Sequence, residues 1–297
     1  MPSTTISLTH FSDPHCPWAY SASPAHAVLR WRFGAQLHWR LVLIGLSEGP
    51  DRYLEAGYTA ARSAQGYRAF GRRFGMPFGG QPRERVTGTG EACRLVVAAR
   101  LRHGADVELA VFRALQLAQF TTTLLLDTPG DLQAALEERP IDGVDAAALA
   151  AAITDSDVEA AYQEDRALSR TAAGKPTEAQ GREANTDGAV RYTAPSIIFE
   201  TADGRSLEVG GFQPIEAYDT ALANLDVTLE RRPAATDPVE VLQALPYAPV
   251  TREVAACMTT NLGEVDEAEA ERLLIGAAAE GRVRREALGT SALWHLV

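Results

Sequence analysis

Apolar and polar positions alternate through residues 6–12 (Ile-Ser-Leu-Thr-His-Phe-Ser), the two-residue period of a strand with one buried face. From Pro17 to Phe33 the spacing becomes helical, and Gly34 follows where a helix end favours a left-handed residue. Pro17 suits the first helical turn, and Pro24 predicts a bend. Residues 37–46 are mostly apolar and predict a second, largely buried strand. Strand, helix and strand in this order form a βαβ unit, whose crossover is expected to be right-handed.

Helical pattern dominates the next stretch, with helices predicted at 51–74, 89–104, 106–126, 129–138, 145–153, 154–171 and 176–185. Asp51, Asp131 and Asp155 stand where caps or first-turn acids belong. A Gly/Pro-rich loop runs from Gly75 to Gly90. Strand pattern returns at 195–200, Asp203-Gly204 signals a hairpin turn, and 207–212 is expected to pair back before a helix from Pro214 to about Arg231. Residues 232–238 read as a linker. Beyond it, helices at 239–245, 250–258 and 266–280 and a hairpin over 281–296 predict a separate unit like a winged helix.

Composition narrows the function. With 297 residues, 46% hydrophobic and 23% charged, the chain fits one large or two medium globular domains. No apolar run reaches the roughly 18 residues of a membrane span. The first residues carry no basic leader, so a cytoplasmic protein is expected. Three widely spaced cysteines fit neither a disulfide framework nor a zinc site, and no metal is expected. A net charge of −11 opposes binding to phosphate backbones. Residues 239–297 hold five arginines, no lysine and nine acids, so nucleic acid is not an expected partner there either, and packing or dimerisation is the expected role.

The densest chemistry lies at Asp13-Pro14-His15-Cys16-Pro17-Trp18-Ala19-Tyr20, where a strand end runs into a helix start. Unpaired amides at a helix N-terminus favour a thiolate, so the Cys16 pKa is expected to fall, with His15 adding positive charge or a hydrogen bond. Burial under Trp18 would push it the other way. Ala19 stands where a dithiol enzyme would carry its second cysteine. Cys93 is a candidate second thiol, its alternative being a buried helix cysteine. Cys257 is expected in the core.

This turn resembles the active-site turn of DsbA-like proteins. Thr193-Ala194-Pro195-Ser196 stands where that family carries its cis-proline, and Gly210-Gly211-Phe212-Gln213-Pro214 resembles a segment of its FrnE-like branch. The 2-hydroxychromene-2-carboxylate isomerases and kappa-class glutathione transferases are related. The resemblance implies an α/β thioredoxin fold built from residues 1–50 and 191–231, a large all-helical insertion at 51–190, and the winged-helix-like unit at 239–297. It implies Cys16 as nucleophile with His15 and Pro17 tuning it, and Ala194-Pro195 as the substrate-binding segment. Trp18 and Tyr20 either line an apolar groove or simply pack. The Asp-Arg pair that holds glutathione in the relatives is replaced by Phe212-Gln213, so that mode of glutathione binding is not implied. Arg191 is either a carboxylate contact or a surface residue.

Three readings follow. The first is a single-cysteine thiol-disulfide oxidoreductase with no tightly bound cofactor, working with an external low-molecular-weight thiol. The second is a thiol-dependent isomerase or transferase acting on a small aromatic or polyketide-like compound. The third is a redox-sensing binding protein. The expected partner is a small-molecule or thiol substrate, and a homodimer stays open.

Overall fold

The structure, a computed structural model, describes residues 5–297. Strand β1 (Ile6–Ser12) leads through the Cys16 turn into α1 (Pro17–Ser21) and α2 (Ser23–Phe33), and β2 (Leu37–Leu43) returns parallel to β1. The predicted single helix is broken at Ala22 rather than bent at Pro24, because Pro24 falls in the first turn of α2, where its missing N–H costs nothing.

The insertion follows as α3 (Asp51–Glu55), α4 (Ala60–Phe74), α5 (Gly90–His103), α6 (Ala105–Thr121), α7 (Pro129–Glu138), α8 (Ala146–Ala151), α9 (Ser156–Ser169) and α10 (Pro176–Ala179). The helix expected over 51–74 is two helices, divided at Gly57 (φ +74°) and restarted by Thr59, whose hydroxyl caps the Arg62 amide. The helix expected over 176–185 stops after one turn. Glu183–Ala184 (β3) pairs instead with Arg191–Tyr192 (β4), so tertiary pairing overrides the helical preference of Glu and Ala.

Strands β5 (Ser196–Glu200) and β6 (Ser206–Val209) complete a four-stranded sheet in the order β2-β1-β5-β6, with β5 antiparallel to β1 and β6. Helix α11 (Ile215–Leu225) packs beside α2 on this sheet, and Ile6, Leu8, Leu29, Phe199 and Leu222 fill the space between them. Burial of each such side chain stabilises the fold by roughly 1.5–3 kcal/mol. A second core, centred on α5 and α6, holds the insertion against β2.

The C-terminal elements are α12 (Pro238–Ala244), α13 (Thr251–Cys257), α14 (Glu267–Ala279), β7 (Val283–Leu288) and β8 (Ser291–Leu296), with Val250 bridged to Leu293. Ala270, Leu274 and Ala277 form the buried stripe of α14 at helical spacing. The core of this unit is shared: Ala27, Val28 and Trp31 of α2 pack with Val241, Leu242, Val254, Cys257 and Trp294. Trp31 Nε1 also donates to the Pro233 carbonyl at 2.7 Å. At the same seam Arg113 of α6 donates to Glu253 of α13 at 2.6 Å and to Ser23 Oγ of α2 at 3.3 Å, tying three parts of the chain together. At the hairpin, Arg282 pairs with Glu280 and Asp237, and Arg285 with Glu271. No helix among the described residues is long and apolar enough to cross a membrane.

Candidate active site

Cys16 is the N-cap of α1, placed by a turn in which its amide donates to the Asp13 carbonyl at 3.1 Å. Its thiol donates to the Ala194 carbonyl at 3.2 Å, and the Ala194–Pro195 peptide bond is cis. Two segments 178 residues apart thus meet at one sulfur. They meet because β1 and β5 are paired neighbours, with Phe11 opposite Ser196.

Asp13 organises the surroundings. One carboxylate oxygen accepts from the His15 amide at 2.8 Å. The other accepts from the Leu46 amide at 2.9 Å and from the Thr89 hydroxyl at 2.9 Å. This fully buried acid therefore clamps the cysteine turn, the end of β2 and the start of α5 together. Its burial raises its pKa, against the bonds it accepts. Sequence reasoning did not single it out. The signal was present, an acid three residues ahead of the helix-capping cysteine.

Cys93 also reaches Asp13, with Sγ 3.6 Å from Oδ2. Its thiol points at that carboxylate from the insertion core, and it does not line the cavity onto which Cys16 opens. Cys257 is buried in the C-terminal core, as expected.

The thiol environment reverses the expected electrostatics. Cys16 is 5% exposed, and burial pushes its pKa up to about 12. Asp13 pushes the same way, while the Ala19 and Trp18 amides and the Arg191 charge oppose it. A helix of one and a half turns supplies too few aligned amides to outweigh the loss of solvent. His15 does not add positive charge. Burial, then repulsion by Arg83, lowers its pKa to about 3, against a hydrogen bond to the Gly88 backbone, so the ring is neutral.

Cys16 opens onto a cavity of about 920 Å³, whose walls include His15, Pro17, Trp18 and Ala194. Helix α4 roofs it with Tyr67 and Phe70, and Trp18 packs edge-on against Phe70, Phe74 and Phe212 at 4.9, 5.6 and 5.5 Å between ring centroids. Tyr20 is not in the cavity. It is fully buried on the other face of α1, stacked on Phe120 and donating to the Pro77 carbonyl at 3.1 Å. Its position two residues beyond Trp18 turns it away, because residues two apart on a helix do not share a face. Pro195 is buried and supplies the cis bond without lining the cavity. Arg191 is 4% exposed and lines the cavity, which overturns the surface alternative. Gln119, Tyr53 and Tyr58 also contribute walls, and nothing in their sequence neighbourhood marks them. No cluster of metal-ligating side chains occurs among the described residues.

No protein-family model and no curated protein matches the sequence. Solved structures do. A candidate protein disulfide isomerase from Nitrosomonas europaea superposes with a TM-score of 0.54 at 16% identity, over 74% of this chain and 97% of that one. The cytosolic disulfide reductase DsbM from Pseudomonas aeruginosa gives 0.51 at 21% identity, over 74% of this chain and 100% of that one. DsbM with GSH gives 0.50 at 19% identity, over 74% of this chain and 98% of that one. With the paired β1 and β5, the cysteine at the start of α1 and the cis-proline facing it, these likenesses identify the chain as having the DsbA-like thioredoxin fold.

Proposed function

We propose that this protein is a cytoplasmic thiol-dependent oxidoreductase that works with one cysteine and an external low-molecular-weight thiol. The observation that carries the reading is the Cys16 thiol on the Ala194 carbonyl, beside the cis bond and open to a roofed cavity. The roof supports a small-molecule disulfide as substrate rather than a protein. Cys16 sulfur attacks one sulfur of that disulfide, forming a mixed disulfide, and the departing sulfur takes the Cys16 proton. With Ala19 in the resolving position, the external thiol attacks the mixed disulfide, which restores Cys16 and releases a new disulfide. The bound GSH of DsbM makes glutathione the first external thiol to try.

Because burial keeps Cys16 protonated, its reaction accelerates with pH well beyond the range of a free thiol near 8.5. Intact-mass analysis after exposure to a small disulfide such as hydroxyethyl disulfide tests the reading. One adduct is expected on the wild type, forming faster at pH 9 than at pH 7, and none on Cys16→Ser. No adduct at any pH, or one that persists in Cys16→Ser, sinks it.

The second reading, a thiol-dependent isomerase or transferase on a small aromatic compound, is favoured by the aromatic wall of Trp18, Phe70 and Phe212. A rise in melting temperature with glutathione and an aromatic substrate together, without adduct formation, would select it.

A further inference from the structure

The cavity walls carry five arginines (Arg62, Arg83, Arg85, Arg182 and Arg191) and one acid, Glu183, in a chain whose net charge is −11. Arg85 is neutralised by Asp127. The other four have no carboxylate within ion-pair distance among the described residues. Arg62 donates to the carbonyls of Ala56 and Gly57, and Arg83 to those of Leu124 and Gln119. Arg191 is the most buried of the set. Its Nη atoms donate to the Tyr192 carbonyl at 3.0 Å and to Thr186 Oγ1 at 3.2 Å, and its Nε–H has no partner. The nearby Asp187 is paired with Arg170. A buried guanidinium without an anion is costly, and an acid group supplied by a ligand would remove that cost.

Three further wall atoms are unpartnered, and all are acceptors. They are Gln119 Oε1, Glu183 Oε2 and His15 Nε2, with Gln119 and His15 at 4% and 7% exposure. Gln119 Nε2 donates to the Tyr67 hydroxyl at 3.0 Å, and Oε1 has no partner among the described residues. Arg191 belongs to the β3–β4 ribbon and Gln119 to α6, so the anion-seeking donor and this acceptor come from separate walls.

We infer that the cavity is built for a small organic acid, its acid group held by Arg191, its apolar body against Trp18 and Phe70, and a hydroxyl or amine donor met by Gln119 and His15. This rests on reading the cavity as the reaction chamber and names the chemistry of what enters it.

The probes are 4-hydroxybenzoate, its methyl ester, which lacks the acid, and benzoate, which lacks the donor. Each is titrated calorimetrically into Cys16→Ser, where no mixed disulfide can form. The acid should bind about tenfold more tightly than the ester, and benzoate should fall in between. Arg191→Gln should abolish the preference for acid over ester, and Arg191→Lys should restore part of it. Equal binding of acid and ester, no binding by either acid, or a preference that survives Arg191→Gln would overturn the inference. The comparison of ligands on one protein holds even if an Arg191 variant fails to fold. Acid binding without a Cys16 adduct in the wild type would retain this inference and discard the oxidoreductase reading, and an adduct without acid preference would do the reverse.

Discussion

Two buried arginines divide the molecule into a seam and a cavity. Arg113, at 6% exposure, meets Glu253 at 2.6 Å, and that carboxylate also accepts from the Val250 amide at 2.8 Å. Each leaves one polar atom without a protein partner, but the two charges cancel. Arg191, at 4% exposure, has carbonyl and hydroxyl partners and no carboxylate within ion-pair distance among the described residues. The seam is closed by matched charge and shared apolar packing. The cavity is left electrostatically incomplete, with four arginines that lack an ion-pair partner against the single wall acid Glu183 among the described residues. Burial alone therefore does not separate a structural charge from one poised for a ligand; the presence of a matching charge does.

The largest expected effect breaks the seam. Glu253→Ala leaves Arg113 buried without its anion and should cost about 3–5 kcal/mol in denaturant unfolding. The double substitution Arg113→Met with Glu253→Leu should recover most of that loss. If Glu253→Ala is as stable as the wild type, the seam is not held by this pair.

A pH titration comes next. His10 and His26 lie edge-on at 4.6 Å beneath Trp39, and burial lowers both pKa values, that of His26 to about 3. His15 in the cavity wall behaves alike, also at about 3. A depressed folded-state pKa means that the unfolded chain binds the proton first. The stability these neutral rings contribute is present above about pH 6.5 and is lost as pH falls toward about 3, with a slope near 1.4 kcal/mol per pH unit for each histidine. Unfolding measured from pH 7 to pH 4 should show this decline, and His26→Phe should flatten it. A profile unchanged across that range would mean the rings are solvated.

The smallest effect belongs to the cavity. Arg191→Met should raise stability slightly, by about 1 kcal/mol, because removing a buried charge that lacks a counter-ion relieves its desolvation cost and outweighs the two hydrogen bonds lost. A loss as large as that of Glu253→Ala would mean Arg191 is a structural residue, and the contrast between the two regions would fail.

How far the sequence reached differs by residue. The place of Cys16 and Pro17 was legible because a helix start and a first-turn proline are local features, and the cis bond at Ala194–Pro195 because Thr193-Ala194-Pro195-Ser196 resembles the family's cis-proline segment. The C-terminal helices and hairpin were legible from periodicity and turn residues. Of the two alternatives for Tyr20, packing is the one the fold realises, because two residues beyond Trp18 on α1 it faces the Phe120 side and not the cavity. For Cys16 the sequence offered two opposed effects, helix amides lowering the pKa and burial raising it, and the expected fall is overturned because α4 and the insertion remove the solvent. Asp13 was in view but unrecognised, because three of its donors come from distant or backbone positions.

By itself the sequence determined what is set within a few residues: strand and helix periods, caps, the turn carrying Cys16, and the absence of a resolving cysteine at position 19. Only the tertiary structure decided which charges were matched. Arg113 found Glu253 across 140 residues, while Arg191 pairs with no carboxylate among the described residues and lines the cavity. Secondary structure follows from local sterics and hydrogen bonding, but pKa values and ligand chemistry follow from solvent exclusion and from which distant groups the fold brings within a few ångströms.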